Sequence, residues 1–125
     1  MQRSLYLTFA ALTLTLLTGC QHTAKIPQPP VATQLDQLSA LLAGTQFLRE
    51  HCARTDIPGQ DKLQRTALET AEQRGWNTRV ADYQQLPAQT ETRFQALLQD
   101  NTPENEKCAT LNRSTARFIA QASAR

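Results

Sequence analysis

The apolar positions of this chain form one short block near its start and then, from about Thr33 onward, stripes at helical spacing. The block runs from Leu5 to Leu17, with threonines and one tyrosine as its only relief. A membrane-spanning helix wants about 20 apolar residues, so this run is too short to span. Between block and stripes, Gln21 to Thr33 hold Pro27, Pro29 and Pro30 and almost no large apolar side chain. That composition predicts an extended tether, and at about 3.1 Å per residue it would reach roughly 40 Å.

The stripes predict helix after helix, with almost none of the β-branched alternation that strands need. The first helix, about 33–52, places Leu35, Leu38, Leu41, Leu42, Leu48 and Cys52 on one broad face. The turn Thr55-Asp56-Ile57-Pro58-Gly59 ends it, and Asp61 with Gln64 supplies an N-cap and capping box for a second helix reaching Arg74. Gly75 suits a left-handed C-cap, and Trp76 just beyond can fold back onto Ala71. Val80 and Tyr83 suggest a short helix that Pro87 interrupts, before Phe94, Leu97 and Leu98 mark a helical face running to Asp100. A last helix opens at Thr102-Pro103-Glu104, with proline at its first position, and aligns Cys108, Leu111, Thr115, Phe118, Ile119 and Ala122. The expected fold is all-α: a small four-helix bundle-like domain over residues 34–125.

The residues around the first block change how that block is read. Arg3 precedes it, and Leu17-Thr18-Gly19-Cys20 follows, small residues just before a cysteine. This is the bacterial lipobox pattern, and it predicts a signal peptide over 1–19 with cleavage before Cys20. The thiol of Cys20 would take diacylglycerol as a thioether, the new N-terminus an acyl chain, and residues 20–33 would tether the domain to the lipid. No other cofactor is expected. Gln21, at the second mature position, favours the outer membrane over retention at the inner one.

With Cys20 lipidated, two of the three cysteines remain, Cys52 and Cys108, in an oxidising compartment. The reading is a disulfide joining the end of the first helix to the beginning of the last; a pair of free thiols is the alternative. Basic and acidic residues number 13 and 11 and are interspersed, which excludes electrostatic capture of nucleic acid.

Catalytic chemistry finds little support. The only histidines are His22, in the tether, and His51, whose neighbour Cys52 points about 100° away on a helix. No Cys-x-x-Cys, His-x-x-x-His, acidic calcium loop or glycine-rich phosphate cradle is present. The chain is therefore expected not to be an enzyme and to hold no metal.

The first predicted helix is the informative element. At about 100° per residue, Phe47 projects opposite Leu38, with Ala40, Ala43 and Gly44 around it. One apolar face would serve the domain's own core. The second, one aromatic among small residues, could let a partner helix lie close; alternatively, Phe47 packs inside the same bundle.

Leu42-Ala43-Gly44-Thr45-Gln46-Phe47-Leu48-Arg49-Glu50-His51-Cys52, then Asp56-Ile57-Pro58, Gln73-Arg74-Gly75-Trp76 and Cys108-Ala109-Thr110-Leu111-Asn112 resemble the PulS/OutS-type pilotins of the type II secretion system. The resemblance implies a four-helix domain with Cys52 bridged to Cys108 and anchored through Cys20. It also implies a targeting chaperone that captures the disordered C-terminal segment of the secretin as a helix, protects the subunit from proteolysis, and rides the lipoprotein sorting machinery to the outer membrane. Carried over by position, the groove would comprise Leu35, Leu42, Ala43 and Phe47, with Ala40 and Gly44 permitting close approach. A small structural or inhibitory envelope lipoprotein with another periplasmic partner is the competing reading, and an envelope hydrolase acting through His51 a distant third.

Overall fold

The computed structural model describes residues 27–124; the signal stretch, Cys20 and the tether up to residue 26 lie outside the described residues. Helix α1 spans Val31–His51, α2 Gln60–Gln73, α3 Leu86–Gln99 and α4 Glu104–Ser123, with a short 3-10 helix, Ala81–Gln85, leading into α3. The all-α expectation holds among the described residues, and α1 is the axle against which every other element packs.

Pro30, with φ −52°, starts α1 earlier than the apolar stripe suggested, its carbonyl accepting the Gln34 N–H at 3.0 Å. The arm before it is docked. Gln28 Nε2 donates to the Arg74 carbonyl (3.0 Å), and Gln34 Nε2 donates to the Pro29 carbonyl (2.8 Å). Gln34 is itself buried and accepts from the Tyr83 hydroxyl at 2.6 Å, so each polar atom of its amide is satisfied.

Three further helix starts differ from expectation for local reasons. Gly59, extended at φ −64° and ψ 162°, is the N-cap of α2, and its carbonyl takes the Leu63 N–H at 3.1 Å. Asp61 therefore falls inside the first turn, where it makes no capping bond but its charge still favours the positive helix end. Pro87 does not interrupt a helix; it sits in the first turn of α3, where its missing N–H has no intrahelical partner to lose. Pro103 is likewise the N-cap of α4 rather than its first helical residue.

The end of α2 is as read. Gly75 is left-handed at φ +80°, its N–H bonds the Glu72 carbonyl (2.9 Å), and the Trp76 N–H bonds the Ala71 carbonyl (3.0 Å). That pair of bonds is the Schellman arrangement, and Trp76 and Ala71 enter the same core.

The end of α1 uses a less suitable residue. Ala53 stands at φ 55°, which turns the chain so that the Arg54 N–H reaches the Leu48 carbonyl at 3.3 Å. Its Cβ is strained there. Ala53→Gly should stabilise the domain by about 0.5 to 1 kcal/mol, seen as a higher urea midpoint at unchanged m-value. Arg54 then clamps the turn, pairing with Asp56 at 2.8 Å and reaching Asn112 on α4. The Arg54 hydrogen bond holds the Asp56 carboxyl below the usual carboxylate range.

The core has two parts. Leu35, Leu38, Leu42 and Leu48 of α1 pack with Ile57, Leu63, Trp76, Leu86, Phe118 and Ile119 in the larger. On the other side of α1, Ala43 and Phe47 pack with Phe94 of α3, flanked by Leu97, Leu111 and the cysteines. The two apolar faces read from α1 are both real, and both are at least partly used by the domain itself.

Candidate functional site: a cleft on the central helix

Helices α3 and α4 each pack on α1, yet among the described residues their backbones make no close approach to one another. They diverge from the short connection at 100–103 and leave a cleft of about 590 Å³ between them with α1 as its floor. Gln37, Ala40, Leu41 and Ala43 supply the floor, Arg93, Ala96, Leu97 and Asp100 one wall, and Leu111, Ser114 and Thr115 the other. Arg74 stands at the rim.

Small residues shape this surface. An alanine at position 40 keeps the floor low and exposed, whereas a larger side chain would fill the space between the walls. Leu97, Leu111 and Leu41 are only partly covered by the domain, and Leu98 nearby, 39% exposed, is the most open large hydrophobic among the described residues. Apolar side chains held half-buried in a concave strip suit an apolar helix face.

Lys107 of α4 ties down the end of α3 beside the cleft. Its ammonium donates to the Leu97 carbonyl (2.7 Å) and the Asp100 carbonyl (2.6 Å), satisfying the C-terminal end of α3, and lies 5.5 Å from the centre of the Phe47 ring. Hydrogen bonds from Thr102, side chain first and then backbone N–H (2.7 Å), hold the Asp100 carboxyl below the usual range, so it is ionised at neutral pH. On the wall formed by α3, Arg93 is paired with Asp36.

The predicted groove residues separate into four groups. Ala40 and Ala43 line the cleft. Leu35 and Leu42 turn the other way, 2% and 1% exposed in the main core, because their positions on α1 share the face of Leu38. Gly44 does permit a close approach, but by the domain's own α4: a Cβ there would meet Leu111 Cδ2 at 3.1 Å and Thr115 Cγ2 at 3.4 Å. Phe47, 3% exposed, lies beneath the surface in the second core rather than on a wall. His51 stacks on Phe47 with ring centres 4.9 Å apart, so it is a packing residue at the edge of that cluster.

Cys52 and Cys108 are bonded, with Cα atoms 5.7 Å apart, as the cysteine count implied. Cys20 and His22 lie outside the described residues. The walls were not read from the sequence: Ala96, Leu97, Leu111, Ser114 and Thr115 follow from how α3 and α4 cross α1. The face of Phe94, Leu97 and Leu98 was the available signal for α3, and Leu111 with Thr115 for α4.

The family model for type II secretion system pilotin lipoproteins of the PulS/OutS kind matches residues 15–120. The chain belongs to that family. It is 33% identical to the pullulanase secretion protein PulS of Klebsiella pneumoniae over 91% of this chain and 92% of that one. Its fold is similar to a chain in a pilotin–secretin peptide complex, at TM-score 0.72 and 36% identity over 75% of this chain and 97% of that chain. A chain of the K. pneumoniae type II secretion outer-membrane complex of PulD, PulS and the PulC HR domain matches at TM-score 0.67 and 39% identity, covering 72% and 95%. Membership accounts for the lipobox-like start together with the described helical domain.

Proposed function

We propose that this pilotin binds the C-terminal segment of its own system's secretin in the cleft between α3 and α4, as a helix laid on α1. Lipid on Cys20 would carry the pair along the lipoprotein sorting route to the outer membrane, the domain facing the periplasm and acting as a chaperone rather than an enzyme. The observation that carries this reading is the cleft itself: an open apolar strip on the central helix, left uncovered because α3 and α4 diverge. Support comes from the similar chain whose complex holds a secretin peptide and from the similar chain in an outer-membrane secretion complex.

Such a site must overcome the cost of ordering a disordered tail, several kcal/mol, through burial of one apolar helix face. Ala40→Asp tests it, because position 40 is exposed and the domain does not depend on it for its core. An uncompensated carboxylate in an apolar contact costs about 3 kcal/mol, so affinity for a secretin C-terminal peptide should fall roughly a hundredfold while helical circular dichroism and unfolding are unchanged. Undiminished binding by that variant would place the site elsewhere and favour a different periplasmic partner for this face.

A further inference from the structure

We propose that Arg74 is a specificity-determining residue of the cleft, receiving a carboxylate in the C-terminal turn of the bound segment and so fixing which way that segment lies. The inference rests on reading the cleft as the secretin site and adds the charge pattern of its occupant.

Arg74 lines the cleft, and its guanidinium is held over the buried Trp76 ring, 5.1 Å from the ring centre. The stack restrains a long side chain before any partner arrives, which lowers the entropy lost on binding. It does not supply an opposite charge. Arg93, the other arginine of the cleft, is paired with Asp36, whereas among the described residues no carboxylate pairs with Arg74. A restrained guanidinium without a counter-charge, on the edge of an apolar strip, matches an amphipathic helix that brings one acidic group to that edge.

The two ends of the cleft differ in sign. Arg74 is at the end near the start of α1, where its carbonyl holds Gln28. Asp100 is at the other end, its carboxylate partly offset by the Lys107 ammonium, which donates to the Leu97 and Asp100 carbonyls. A helix is partially positive at its N-terminus and partially negative at its C-terminus. Laid along α1, it is favoured with its N-terminal turn by Asp100 and its C-terminal turn by Arg74.

The test is calorimetry with the mature chain from residue 20 onward, against a synthetic peptide of the C-terminal segment of the secretin encoded by the same genome. Arg74→Gln should weaken binding roughly threefold and Arg74→Glu roughly tenfold or more, both penalties shrinking in high salt. Replacing one carboxylate in the peptide's last turn by an amide should abolish the dependence on Arg74. A nitroxide at the C-terminal end of the peptide should broaden amide signals around Gly75, not around Asp100. Equal binding by wild type and Arg74→Glu, with Ala40→Asp still blocking, would overturn the Arg74 assignment and leave the cleft intact as the site. Absence of binding by the wild type would overturn both.

Discussion

Replacing Cys52 and Cys108 together by serine is expected to lower the unfolding free energy by about 4 kcal/mol, the denatured-state entropy released when a loop of this length is opened. The bridge spans a sequence separation of 56 and joins the C-cap of α1 to the second turn of α4. A domain of this size buries a smaller share of its surface than a large one and is only marginally stable, so the loss is a large share of its stability. Its consequence is local as well. The bonded cysteines flank the cluster of Ala43, Phe47 and Phe94, and α4 is one wall of the cleft. Urea unfolding of the oxidised and serine forms measures the difference; a loss below about 1 kcal/mol would mean that packing alone holds α4 on α1.

Phe47→Ala is expected to cost about 3 to 5 kcal/mol, the usual range for emptying a buried aromatic site. The sequence pattern allowed two outcomes for this position, a groove wall whose change spares the fold or a core residue whose change does not. Burial to 3% exposure and contact with Ala43 and Phe94 decide for the core. The Lys107 ammonium over one side and the His51 stack leave the ring no room to be replaced by a mobile side chain. Peptide binding should weaken too, because Phe47 supports Ala43 and Leu97 from below. A urea midpoint close to that of the wild type would return Phe47 to the cleft surface.

What the sequence made legible was periodic or punctuated. The Leu stripe of α1, the glycine after α2 and the cysteine pair each express a local rule: helical spacing, a left-handed cap that favours glycine, a thiol pair in an oxidising compartment. The two-faced character of α1 was equally local. Which face met solvent was not, since it depends on the angle at which α3 and α4 leave the 100–103 connection, and no single segment encodes that angle. Gly44 shows the limit well. Its smallness was correctly read as a close approach, but the approaching helix is α4, far along the same chain at Leu111 and Thr115, rather than one in another molecule. Leu42 shows the same limit from the opposite side, since membership in an apolar stripe does not say which stripe is the core.

The segments that carry the family resemblance mostly hold turns. Asp56 and Asn112 meet on Arg54, Ile57 enters the main core, and Gly75 with Trp76 closes α2. They fix the helices whose divergence leaves the cleft, while the cleft's own lining is a set of small and half-buried apolar residues with little individual signature. Tyr83 and Gln34 belong with the turn-holding group, a buried pair that pins the arm at the start of α1.

The most direct test of the central claim is a nuclear magnetic resonance titration of residues 21–125, disulfide intact, with a peptide from the C-terminus of the cognate secretin. The cleft account predicts saturable shifts at Ala40, Ala43, Ala96, Leu97 and Leu111, with the peptide becoming helical as it binds. Shifts confined to α2 and the outer faces of the domain, or none at about 1 mM peptide, would contradict it.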